Sequence, residues 1–206
     1  MAATVEQEFQ QLRAGWEEEF SRQKKLHRRR INCRPGCDDC CRRLFAISEL
    51  EAAEISRAVR QVPIEQQTRL RERARQYLEQ RRQLLAVTGW VDSRGSLPPP
   101  NVQLECPALE NGRCSLYESR PLSCRKYGAV LIDAKDEGRV FACEKNFRPG
   151  ESLSDALLEP RQATLIQLGR AVEARYDRAG GRRHDEPLTV AHAIVEDLDE
   201  LLPKAD

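Results

Sequence analysis

Eight cysteines constrain this chain more than any other feature. Four crowd into Cys33-x3-Cys37-x2-Cys40-Cys41, and four follow as Cys106, Cys114, Cys124 and Cys143. A chain that spaces thiols this closely must either cross-link them or fold around something that takes thiolates. Soft sulfur ligands prefer Zn(II), Cu(I) or iron–sulfur clusters to hard ions such as Mg²⁺ or Ca²⁺.

Disulfides are the competing expectation, since eight is an even number. The opening residues Met1-Ala2-Ala3-Thr4-Val5-Glu6-Gln7-Glu8 lack a basic-then-apolar signal pattern. No apolar run approaches the length of a membrane span. The expectation is therefore a cytoplasmic protein, in a compartment where structural disulfides are rare. With 206 residues the chain can also bury an ordinary core without covalent staples. Adjacent Cys40 and Cys41 would be awkward partners for each other. Metal ligation is the better reading.

The charges nearly cancel, 34 Lys and Arg against 33 Asp and Glu, and only 5% of residues are aromatic. That balance gives no case for nucleic-acid or membrane binding. The basic run Lys24–Arg30 follows the acidic Glu17-Glu18-Glu19, which weakens any basic patch. His27 belongs with that cationic face, His192 lies in an apolar helical pattern, and His184 in a Gly–Arg loop receives no role. No Ser–His–Asp arrangement, phosphate loop or dinucleotide fingerprint is visible.

The pattern predicts a mainly α fold with a small β-hairpin, its helices arranged around an irregular cysteine-rich metal-binding core. Val5, Phe9, Leu12, Trp16 and Phe20 form the apolar stripe of an amphipathic helix over about 4–30, an N-terminal element of residues 1–30. Pro35-Gly36 turns the chain within the first cysteine group. Ser48 and Glu51 form a capping box for a second helix, with Leu50, Ala53, Ile55, Ala58 and Val62 inward. Pro63 interrupts it, and a third helix runs from Ile64 to about Leu85. Three successive prolines mark 93–101 as a linker within a cysteine-cluster domain of residues 31–145. Residues 129–132 and 139–142 read as a hairpin ending at Cys143. Helices near 155–178 and 188–202 are expected to pack on the same domain from the segment 146–206.

A structural zinc site takes four tetrahedral ligands, and an iron–sulfur cluster also takes four thiolates. Both remain open, as do one site or two, because eight thiolates exceed a single four-ligand set. Four thiolates around such a centre leave about two net negative charges. Arg34, Arg42, Arg43, Arg120, Arg125 and Lys126 stand beside the cysteines and can offset them.

The segment Cys106-Pro107, Asn111-Gly112-Arg113-Cys114 and Ser115-Leu116-Tyr117-Glu118-Ser119-Arg120-Pro121-Leu122-Ser123-Cys124-Arg125 makes a specific match. Together with the Cys33–Cys41 knot it resembles the YkgJ-like cysteine-cluster family, the zinc- or iron-chelating domain known by a CxxCxxCC pattern. The resemblance covers about residues 31–145. This chain has three residues between Cys33 and Cys37 where two is common. The metal ligands are expected among Cys33, Cys37, Cys40, Cys41, Cys106, Cys114, Cys124 and Cys143, with Arg120, Arg125 and Tyr117 beside them.

The favoured function is a metal-binding protein holding zinc or an iron–sulfur centre. Cys33-x3-Cys37-x2-Cys40 also has the spacing of a radical SAM cluster, and some relatives of the resembling family are linked to methylation of flagellin lysines. That alternative is an iron–sulfur redox or methyltransferase-type enzyme. A single strand pair and the poor glycine motif Gly180-Gly181-Arg182 argue against it. A third reading is a metal-stabilised interaction module whose helical faces bind a protein partner. In every case the two cysteine groups are expected to meet in space.

Overall fold

Thr4 starts the first helix by a reciprocal cap. Its side chain accepts the Gln7 N–H at 3.2 Å, and the Gln7 side chain accepts the Thr4 N–H at 2.9 Å. The helix, α1, then runs Val5–Leu26 and buries Val5, Phe9, Leu12 and Trp16. Its stripe ends on polar residues: Glu19 and Gln23 are the buried positions, while Phe20 is half-buried.

The computed structural model describes residues 3–34, 36–89, 102–132, 140–148 and 161–203. The proline linker 93–101 lies outside them. The chain divides into two units, each assembled from separate stretches of sequence: residues 1–34 with 122–179, and residues 35–121 with 180–206.

The first unit holds α1, the short α4 (Leu122–Lys126), the strands β3 (Leu131–Ile132) and β4 (Val140–Phe141), and α5 (Arg161–Arg178). β3 and β4 pair antiparallel, Leu131 opposite Phe141, which is the hairpin expected from sequence. α5 packs against α1, and Gly15 lets it come close: a Cβ there would lie 2.5 Å from Leu165 Cδ2. Gln23 Nε2 and Gln162 Nε2 both donate to the Val130 carbonyl at 2.9 Å, and the Val130 N–H returns to Gln23 Oε1 at 2.8 Å. The Ile132 N–H donates to Gln162 Oε1 at 3.1 Å. Buried backbone groups need such partners, so two glutamines tie the strand to both helices.

The second unit holds α2 (Glu49–Gln61), α3 (Ile64–Thr88), β1 (Leu109–Glu110), β2 (Arg113–Cys114) and α6 (Val190–Val195). Ser48 and Glu51 make the predicted capping box, and Pro63 separates α2 from α3. α3 ends at Gly89, whose left-handed φ of 62° suits the cap. Ile55 and Val59 of α2, Leu70, Ala74 and Tyr77 of α3, and Ala191 and Ile194 of α6 share one core with Leu198 and Leu201. Ser56 Oγ lies 2.8 Å from the Ala193 carbonyl and accepts the Leu198 N–H at 3.4 Å, closing the end of α6. No described helix is long and apolar enough to cross a membrane.

Among the described residues the fold is mainly helical with two small antiparallel strand pairs. Sequence reasoning anticipated one pair and read the other, β1–β2, as loop.

Candidate metal centre

Asn111 and Gly112 both adopt positive φ, 52° and 71°. Two successive left-handed residues make a tight hairpin turn, and Asn-Gly is the pair that adopts it most readily. The turn sets Leu109 opposite Cys114. The Ser115 N–H then donates to the Ala108 carbonyl at 2.8 Å, drawing the ends of the hairpin together.

Those ends carry the same local device twice. The Ala108 N–H hydrogen-bonds the Cys106 sulfur, and the Leu116 N–H hydrogen-bonds the Cys114 sulfur, each from two residues downstream. Backbone N–H groups aimed at a sulfur favour its thiolate form. Cys106 and Cys114 also pack at the margin of the core of this unit, next to Ala108 and Leu116.

The first cysteine group is hydrogen-bonded onto this hairpin. The Cys106 N–H donates to the Cys41 carbonyl at 2.6 Å, and the Leu104 N–H to the Arg42 carbonyl at 3.2 Å. Arg43 forms a β-bridge with Gln103, and the Gly36 N–H reaches the Gly112 carbonyl at 3.2 Å. A 3-10 turn over Asp39–Arg42 presents Cys40 and Cys41. Arg42 pairs with Asp38 at 2.8 Å and Glu105 at 3.0 Å, exposed contacts that contribute little to stability.

The thiols of this group oppose one another's ionisation. A hydrogen bond with the Cys41 thiol, with burial next, pushes the Cys40 thiol far up. Burial pushes Cys106 up to about 12, and the neighbouring Cys114 and Cys40 add to it. Burial raises Cys114 as well, with a further push from Cys40. Two cations work the other way: Arg73 favours the Cys106 thiolate and Arg120 the Cys114 thiolate. Among the described residues no three His, Cys, Asp or Glu side chains form a group that could hold a metal ion. The thiol donors of Cys40, Cys41, Cys106 and Cys114 are of the chemistry that a thiophilic zinc or iron centre takes.

Arg120 lies 3.8 Å over the Tyr117 ring, and its Nη1 donates to the Tyr117 carbonyl at 2.9 Å. Arg125 is occupied differently. It is buried in the first unit and donates to Glu17 at 2.9 Å, while Lys126 lies 4.7 Å over the Trp16 ring.

The remaining cysteines divide by unit. Cys37 is exposed in the second unit, three positions before Cys40. Cys33, Cys124 and Cys143 belong to the first. There the Cys33 sulfur accepts from Asn146 Nδ2 at 3.6 Å and lies against Gly128, where a Cβ would be only 2.3 Å away. Asn146 also donates to the Gly128 carbonyl at 2.8 Å, and its own N–H donates to the Cys143 carbonyl at 2.9 Å. Cys124 sits within α4. Members of the two sequence groups therefore meet inside the second unit, and Cys33 of the early group packs on later segments of the first. All eight thiols are free of disulfides.

Sequence reasoning missed Arg73 and Asn146. Arg73 is remote from every cysteine along the chain and lies in a helix rich in arginine, so only tertiary placement distinguishes it. Asn146 could have been noticed as the polar residue closing the Cys143 turn.

A family model, CxxCxxCC, “Putative zinc- or iron-chelating domain”, matches residues 32–146, more than half of the chain. No curated protein and no solved structure matches it.

Proposed function

Because this chain belongs to the CxxCxxCC family of zinc- or iron-chelating domains, we propose that Cys40, Cys41, Cys106 and Cys114 together hold its zinc or iron centre as thiolates. The observation that supports this most is the repeated N–H-to-sulfur turn at Cys106 and Cys114, with the Cys40–Cys41 pair hydrogen-bonded beside it. A thiophilic ion replaces thiol protons and supplies the positive charge that four neighbouring sulfurs lack. The backbone N–H groups of Ala108 and Leu116 then stabilise two of the four thiolates, and Arg73 and Arg120 balance the residual negative charge.

Four protein sulfurs complete a tetrahedral set, which favours a centre that holds structure over one with a position open to substrate. Cys33, Cys124 and Cys143 form the second candidate set, in the other unit, with Cys37 as an exposed thiol outside both. A centre built on thiolates suits a reducing compartment, and we infer a cytoplasmic protein on that ground.

Anaerobic purification, metal analysis and a visible spectrum test the proposal. A colourless protein with bound zinc identifies one form, and a brown iron-containing protein identifies the cluster form. Cys106→Ser and Cys114→Ser should each lose metal from that set. Wild-type protein that retains neither metal after anaerobic reconstitution would overturn the reading.

A further inference from the structure

Thr189 starts α6 with a return bond of an unusual kind. In the common capping box a Glu or Gln at the third helical position accepts the N–H of the cap residue. Here that position is His192, whose Nδ1 accepts the Thr189 N–H at 3.0 Å, with Thr189 Oγ1 also at 3.0 Å. An Nδ1 that accepts carries no proton, so the neutral ring holds its proton on Nε2. The ring is buried, at 8% exposure. Charged and titratable groups surround it. The His184 ring lies 6.0 Å away, and His184 Nε2 is 3.6 Å from the Glu196 carboxylate at the end of α6. From α2 comes Glu49, held by Arg183 Nη1 at 2.6 Å and by the His184 N–H at 3.4 Å. Arg81 of α3 and His184 oppose a charge on His192, whereas Glu196 and Glu186 favour one. Just beyond α6, Asp197 is taken by Arg60 and Asp199 by Arg57, each at 2.7 Å.

We propose that His192 is a proton-operated clasp on the end of the chain. Neutral, it caps α6 and keeps residues 180–202 seated on α2 and α3; protonated, it lets them open. An imidazolium carries a proton on both nitrogens, so its Nδ1–H would face the very N–H that Nδ1 now accepts. The return bond is then lost and a cation is left in an apolar site. Burial, the largest influence, already holds the His192 imidazole below its ordinary pKa. Opening exposes the ring, so the open form takes up a proton that the closed form refuses. The clasp is therefore fully shut above about pH 6.5 and weakens as pH falls below that value toward the lower one of the closed state. It secures a long stretch of chain. The Leu188 carbonyl accepts the Ile47 N–H and the Leu201 carbonyl the Arg182 N–H, both at 2.8 Å. Leu188, Val190, Ala191 and Ile194 also belong to the core on which Cys106 and Cys114 pack. The second unit thus has a response to acid that needs no change at sulfur.

Hydrogen exchange on the full-length reduced protein from about pH 7.5 to 5.5, corrected for the pH dependence of exchange itself, tests this. Wild-type α6 amides should lose protection below about pH 6.5, by up to about tenfold per pH unit, the limit for one linked proton. His192→Gln keeps an acceptor at the same position and removes the titration, so its α6 protection should stay level over that range. His184→Gln should still show the fall. Imidazole NMR of the wild type gives a check that does not depend on how a variant folds. His192 should carry its proton on Nε2 at the upper pH, and its protonation should track the loss of α6 protection. A His192 proton on Nδ1 at that pH, level α6 protection in the wild type, or an equal fall in His192→Gln would each overturn the proposal.

Discussion

Glu19 carries more of the first unit than its charge alone implies. It is 1% exposed, yet it accepts from Arg22 at 2.8 Å, Gln23 at 2.9 Å and Gln162 at 3.2 Å. Burial would raise its pKa, but these hydrogen bonds together outweigh burial and hold the carboxyl below its ordinary value. A carboxyl depressed in the folded state binds its proton more readily when unfolded. Its contribution is therefore present above the unfolded value of about 4.3 and lost as pH falls through the lower folded value. Glu19→Gln should cost about 1–3 kcal/mol at neutral pH, because three donors lose a charged acceptor. Denaturant titrations should show wild type losing that margin on acidification below pH 4 while the variant loses less. Gly128 is a second such position, with φ of 99° and the Cys33 sulfur against it. Gly128→Ala should destabilise the unit by about 1–3 kcal/mol through overpacking alone. Combining it with Cys33→Ala should recover part of that loss in the same assay. Neither role was legible in sequence: Glu19 counted only as one of the acids Glu17-Glu18-Glu19 ahead of the basic run, and Gly128 carried no local signal.

Helices announced themselves because their signals are local. Thr4 with Gln7, Ser48 with Glu51, and Pro63 each act within four residues, so α1, α2 and α3 begin where sequence reasoning placed them or one residue away. The β1–β2 hairpin escaped for the opposite reason. Its turn, Asn111-Gly112, was readable, but two-residue strands carry no alternation to detect, and the hairpin depends on contacts with Gly36, Cys41 and the core. That dependence makes Gly112 the most sensitive point of the element. A side chain there must adopt φ of 71° and would meet the Gly36 Cα at 3.7 Å. Gly112→Val should cost roughly 1–2 kcal/mol for the left-handed backbone. It should also speed metal loss to a competing chelator, since Cys106 and Cys114 would no longer be held side by side. Chelator kinetics identical to wild type would show that the hairpin does not position these sulfurs.

At the level of the molecule, the metal should matter unequally. The segments 36–43 and 102–116 are short, turn-rich and held mainly by the backbone bonds around Cys41 and Cys106. The helices bury continuous apolar faces in their own clusters. Chelation should therefore raise hydrogen exchange in those two segments, while α1 and α5 keep their protection. Equal protection with and without metal would count against a structural centre. The sequence made the cysteine groups, the mainly helical class and the family visible. It did not reveal how the cysteines are apportioned, since that follows from contacts among residues more than a hundred positions apart, such as Gln23 with Val130 and Asn32 with Asn146.

The pairing of α1 with α5 has a consequence for how the chain is made. On the ribosome α1 emerges early, with Val5, Phe9, Leu12 and Trp16 on one side, whereas its partner helix is encoded only from Arg161 onward. At typical elongation rates that stripe stays uncovered for on the order of ten seconds. A nascent chain stalled before residue 161 should offer it to chaperones or proteases, and extension past Arg178 should withdraw it. Synthesis order thus leaves the apolar face of α1 open until α5 arrives.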